Sequence, residues 1–166
     1  IGVGLIFPVF SSMLFNEDSC LLPVETTPEV RGIWLGILIA MMPLAQFFSS
    51  PIWGTISDGK GRRKPLIVSL IVAILGYLVA ATSVWSGSLI GLFLSRIIIG
   101  FSAGNIAIVQ ASIADLSSQE NKAKNYGLYS MAMGGGFTLG PLLGGWISLY
   151  GYDLTFIAGA LLVSIN

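Results

Sequence analysis

Charged residues divide the chain into long apolar runs of helix length. Gly32–Ser57 runs for 26 residues without a charge, Pro65–Ser88 for 24 and Asn125–Tyr152 for 28, while Leu89–Ala114 is interrupted only by Arg96. About 20 apolar residues of α-helix cross a hydrocarbon layer roughly 30 Å thick, so each run predicts one membrane span. Ile1–Asn16 and Leu154–Asn166, 16 and 13 residues long, read as spans cut short, because helices of that length reach only about 20–24 Å. Trp85-Ser86-Gly87-Ser88 has the Trp and Gly expected where a helix leaves the membrane, and it separates the third span from the fourth. The pattern therefore predicts an all-α membrane protein with spans at about 1–16, 32–56, 65–84, 89–114, 125–149 and 154–166, the first and last truncated.

Composition agrees with lipid as the solvent. Only 10% of the 166 residues are charged and 54% are hydrophobic, against about 25% charged in soluble domains. The chain has no histidine, which removes Ser-His-Asp and Cys-His catalysis and histidine-based zinc sites. No acidic pair lies within a span and no metal-ligand cluster is visible, so neither an enzyme nor a metal or cofactor is expected. Cys20 is the sole thiol and can form no internal disulfide. A formal net charge of zero gives no reason to expect nucleic acid.

Charge placement sets the expected orientation. The 57–64 and 115–124 loops hold Lys60, Arg62, Arg63, Lys64, Lys122 and Lys124, whereas the loops on the other side hold only Arg31. Basic residues in short loops stay inside, so 57–64 and 115–124 are expected to face the cytoplasm of a multi-pass cell-membrane protein, with a bacterial inner membrane as its setting. The acidic first loop, with Glu17, Asp18, Glu25 and Glu29, is then an external connector.

Within the 57–64 region, Gly54, Gly59 and Lys60 have the spacing of a phosphate-binding loop, but Gly61 stands where that motif needs Ser or Thr, and a membrane helix precedes it instead of a strand. Read as a helix end, Gly54 and Asp58 share one face, the glycine permitting close approach of another helix. Arg96 is the only charge inside a span, at a cost of about 2.5–3.5 kcal/mol on insertion scales, and is expected to face protein or a water-filled cavity. Gly100 and Gly104 follow it at four-residue intervals and form a close-packing face. In the fifth span Gly136, Gly140 and Gly144 recur every four residues beside Pro141 and Gly145, giving a second face almost without side chains. Gln46, Asn105 and Gln110 are the uncharged polar groups suited to substrate contact or to helix-to-helix hydrogen bonds.

These motifs together resemble the major facilitator superfamily. Gly54, Asp58, Gly61, Arg62 and Arg63 match its signature between the second and third spans, G-x-x-x-D-(R/K)-x-G-(R/K)-(R/K), with Gly59 in place of a basic residue. Leu92, Arg96 and Gly100 match its fourth-span pattern L-x-x-x-R-x-x-Q-G, with Ile99 replacing the glutamine. Ala114-Asp115, Lys122 and Gly127 resemble a further motif, with Lys for Arg. Gly136 to Gly145 resembles G-x-x-x-G-P-x-x-G-G, associated in the family with antiporters and particularly drug:proton antiporters.

The resemblance implies the N-terminal six-span half of a twelve-span transporter, completed by a C-terminal half. It implies a conformational charge network of Asp58, Arg62 and Asp115, joined by Arg63 and Lys122, and it makes Arg96 an intramembrane coupling candidate. The implied function is proton-coupled efflux of a small amphipathic compound by alternating access, with lipid, the substrate and protons as partners. A facilitator or symporter, and a non-transporting scaffold or receptor subunit, are the alternatives. No Asp or Glu lies within a span, so a proton carrier is not visible in the chain.

Overall fold

The computed structural model describes residues 2–16, 21–23 and 25–165; Glu17, Asp18 and Cys20 lie outside the described residues. Seven helices follow one another: α1 (Gly2–Phe15), α2 (Pro28–Lys60), α3 (Arg63–Trp85), α4 (Leu89–Ala103), α5 (Ile106–Leu116), α6 (Lys122–Ser148) and α7 (Tyr152–Ser164). The chain is all-α, with no strand among the described residues. Three stretches, Pro28–Lys60, Arg63–Trp85 and Leu89–Leu116, are long and apolar enough to cross a membrane.

Two boundaries differ from those the charge pattern sets. The apolar run after Leu89 folds as α4 and α5, separated by a turn at Gly104-Asn105. Helix α2 begins at Pro28, not beside Gly32. Pro suits the first helical turn, where its missing N–H has no intrahelical acceptor to lose. Arg31 therefore belongs to a helix and not to the external loop.

Helix α4 packs against both α2 and α3, α1 packs against α6 and α7, and α7 joins the two groups by lying along α3. The buried centre is built from Leu5, Val9, Phe10 and Leu14 of α1, Leu38 of α2, Tyr77 of α3, Leu92 of α4 and Phe156 of α7. Phe10 and Phe156 meet with ring centroids 5.8 Å apart. Phe47, Phe48, Ile71, Leu75, Ile90, Met131 and Leu142 point outward, as they should on a protein whose surroundings are as apolar as its interior.

Buried hydroxyls must find internal acceptors where water is absent. Ser95 donates to Leu92 O at 2.7 Å within its own helix, and Ser102 of α4 donates to Ser69 O of α3 at 2.7 Å. Trp53 Nε1 donates to Phe101 O at 2.7 Å and so ties α2 to α4. Arg31, only 5% exposed, donates from Nη1 to Leu14 O at 2.6 Å, from Nε to Thr26 O at 3.1 Å and from Nη2 to Pro23 O at 3.3 Å. The last carbonyls of a helix lack intrahelical donors and attract a cation. Arg31 supplies both donor and charge, fixing the end of α1 to the start of α2.

Candidate functional site

Helix α2 ends at Lys60, and Gly61 follows with φ 77° and ψ 164°, a region open essentially to glycine alone. That conformation turns the chain so that Arg62 lies back over the end of α2. Its Nη1 donates to Ser57 Oγ at 2.7 Å and to Asp58 Oδ1 at 2.5 Å, while Nε donates to Asp115 Oδ2 at 2.9 Å. One guanidinium thus joins the ends of α2 and α5. The hydrogen bonds it donates to Asp115 and then to Asp58 raise the Arg62 pKa further above its ordinary value. Exposed pairs of this kind add little to stability, so what the cluster contributes is geometry, holding two helix ends together while both acids are ionised. Arg63 and Lys122 form no ion pair among the described residues. Ser57, buried beneath Arg62, is a third partner that the charge pattern did not reveal.

Arg96 is buried, with 4% exposure. Its guanidinium carbon stands 4.8 Å from the centroid of the Phe10 ring, a cation–π contact worth about 2 kcal/mol or more when water is excluded. Its Nε and Nη2 are buried with no hydrogen-bond partner among the described residues. The side chain lines a cavity of about 190 Å³ bounded also by Phe7, Phe10, Ile39, Met42, Pro43, Gln46 and Phe137. A second cavity of about 460 Å³ shares Met42, Gln46 and Phe137 with the first and extends between α3, α4, α5 and α6, past Tyr77, Ser102, Asn105 and Tyr129. Small-molecule sites have this character: mostly apolar walls, a few placed polar groups and a volume of roughly 300–1,000 Å³.

Of the three uncharged polar candidates, Gln46 lines both cavities and Asn105 the larger one. Asn105 Nδ2 is engaged by Ser69 Oγ at 2.8 Å. Gln110 is exposed and lies away from both cavities; its carbonyl accepts from the Tyr126 hydroxyl at 3.0 Å. Tyr129 was not singled out by the sequence, although its hydroxyl is buried without a partner among the described residues.

The glycine faces are two backbone-to-backbone seams of the same kind. A Cβ on Gly100 would collide with the Met42 carbonyl, and one on Gly104 with Ser49, so α4 lies directly on α2. A Cβ on Gly140 would come within 2.7 Å of Gly4 Cα, and one on Gly144 would strike the Leu5 carbonyl, so α6 lies directly on α1. Gly136 belongs to this second seam, its carbonyl 3.0 Å from where a Cβ on Gly4 would stand, and Pro141 borders it. A Cβ on Gly54, Gly61 or Gly145 would meet nothing within 4 Å among the described residues. Gly54 therefore mediates no helix approach within the described residues, and Gly61 is glycine because of its backbone angle.

The sequence is similar to known proteins over its whole length. Residues 1–166 match the family described as the Major Facilitator Superfamily. The chain is 31% identical over 168 residues to the class C tetracycline resistance protein of Escherichia coli, covering 100% of this chain and 39% of that protein. It is 34% identical over 164 residues to the quinolone resistance protein NorA of Staphylococcus aureus, covering 97% of this chain and 38% of NorA. It is also 31% identical over 167 residues to the class H tetracycline resistance protein of Pasteurella multocida, covering 99% of this chain and 38% of that protein. The chain thus spans about two fifths of the length of these relatives. With the family matched from end to end and the relatives in agreement, the chain belongs to the Major Facilitator Superfamily.

Proposed function

We propose that the full-length protein is a secondary transporter that exports a small amphipathic compound in exchange for protons, by alternating access across a cell membrane. The observation that carries this reading is the pair of contiguous cavities inside the helix bundle, apolar but lined by Arg96, Gln46 and Tyr129. Secondary transporters place substrate sites near the bilayer midplane, between bundles that rock against one another. Relatives named for resistance to tetracycline and to quinolones favour export, because a transporter confers resistance by carrying the compound out of the cell. In this reading the 57–64 and 115–124 loops face the cytoplasm, where Arg62, Asp58 and Asp115 latch one conformation and Arg63 and Lys122 stand beside the latch. Two rigid glycine seams let paired helices move as units.

Proton exchange requires a group that titrates, and arginine does not. Arg96 serves the cycle as a fixed positive charge, and the proton carrier is an acid outside residues 1–166 or else Asp58 or Asp115. The test is export of a fluorescent drug from preloaded cells. Efflux should collapse with an uncoupler, and Arg96→Gln should abolish it at unchanged expression. Efflux indifferent to the uncoupler would replace antiport with facilitation, and undiminished efflux from the variant would remove Arg96 from the mechanism.

A further inference from the structure

The unpaired buried side-chain polar atoms among the described residues are Arg96 Nε and Nη2, the Tyr129 hydroxyl and Thr155 Oγ1. Of these, Arg96 and Tyr129 line the two cavities and Thr155 lines neither, and both cavity groups have a proton to donate. The Gln46 side chain makes no hydrogen bond among the described residues and stands where the two cavities meet. Among the described residues no carboxylate lines either cavity. An unpaired buried donor is costly, and a charged one more so, until an acceptor arrives. A cation entering here would meet Arg96 with no counter-charge on the cavity wall. An anion would satisfy the guanidinium through paired N–H bonds, the geometry arginine is built for. Phe7, Phe10 and Phe137 form the aromatic walls against which a flat ring system can lie.

We propose that the two cavities form one bipartite site selective for aromatic amphiphiles bearing a carboxylate or a comparable delocalised anion. The anion sits on Arg96, the ring system passes Phe137, and an acceptor on the remainder of the molecule takes the Tyr129 hydroxyl. This rests on the transport reading above and names its substrate class.

Nalidixate, a flat monocarboxylate with a ring carbonyl, and its uncharged ethyl ester test the point by binding to the purified full-length protein at pH 8, followed by tryptophan fluorescence. The wild-type protein should bind the carboxylate at least ten-fold more tightly than the ester, a difference of about 1.4 kcal/mol. Arg96→Gln should erase that preference, weakening the carboxylate at least ten-fold while leaving the ester within two-fold. Tyr129→Phe should weaken both ligands by a similar factor. Equal affinity for acid and ester in the wild-type protein overturns the proposal without reliance on any variant, and is the result expected if Arg96 is neutralised by an acid elsewhere in the longer chain. Loss of both ligands in a folded Arg96→Gln protein overturns it as well. Intact discrimination without any drug efflux would instead keep the site and defeat the transport reading.

Discussion

Adding one methyl group to Gly140 tests the seam between α1 and α6. An alanine Cβ there would lie 2.7 Å from Gly4 Cα, 2.8 Å from its carbonyl carbon and 2.9 Å from Leu5 N. Carbon atoms rest at about 3.5–4.0 Å, so α1 has to retreat by roughly 1 Å. The obstruction is backbone on both sides, and no rotamer change can relieve it. A gap of that size forfeits a quarter to a half of the dispersion energy along the contact, and overpacking of this type costs about 1–3 kcal/mol. Gly145 is the internal control: it lies in the same motif, yet a Cβ there meets nothing within 4 Å among the described residues. Alanine at that position should be neutral, or stabilising by up to about 1 kcal/mol through helix propensity. Thermal unfolding of the detergent-purified full-length protein, followed by tryptophan fluorescence, should show a lower midpoint for Gly140→Ala and an unchanged or higher one for Gly145→Ala. Equal loss in both variants would refute the argument, because it would mean the motif matters at every glycine and not through contact with α1.

Other perturbations separate structural from functional roles. Arg31→Ala leaves the Leu14 carbonyl without its donor and should destabilise the fold by about 2–4 kcal/mol, seen as reduced yield and a lower midpoint; an unchanged midpoint would show that the end of α1 needs no such tie. Asp115→Asn removes the charge that holds Arg62 across from α5 and should slow transport at little cost in thermal stability, since the pair is exposed; a large stability loss would make the cluster a structural clamp. Gly61→Ala imposes an unfavourable backbone conformation at φ 77° and should cost about 1–3 kcal/mol. Ala at Gly54, which is helical and open, should cost nothing.

The distribution of charge made the helices legible, because lipid tolerates so few charged side chains that their positions mark the ends of apolar runs. The same rule misplaced the start of α2. Arg31 reads as a loop residue when charge alone sets the boundary, and its burial follows from where α1 happens to end, which local sequence does not record. Gly104-Asn105 went unseen as a break because the apolar run continues through it. The glycine repeats were legible as close-packing faces, yet spacing could not tell Gly144, pressed against Leu5, from Gly54, which meets nothing among the described residues. Arg96 was conspicuous as a lone charge; Tyr129 was not, since a tyrosine in a span looks like any interfacial aromatic until its hydroxyl is found without an acceptor.

Exchange of a drug-like molecule for protons, the function proposed for the full-length protein, is tested most directly by reconstitution. In proteoliposomes holding the full-length protein with an acidic interior, tetracycline should accumulate above the level of protein-free vesicles and leave again when the gradient is dissipated, while counterflow of labelled for unlabelled compound persists without any gradient. Accumulation no greater than in protein-free vesicles, together with an absence of counterflow, would contradict it.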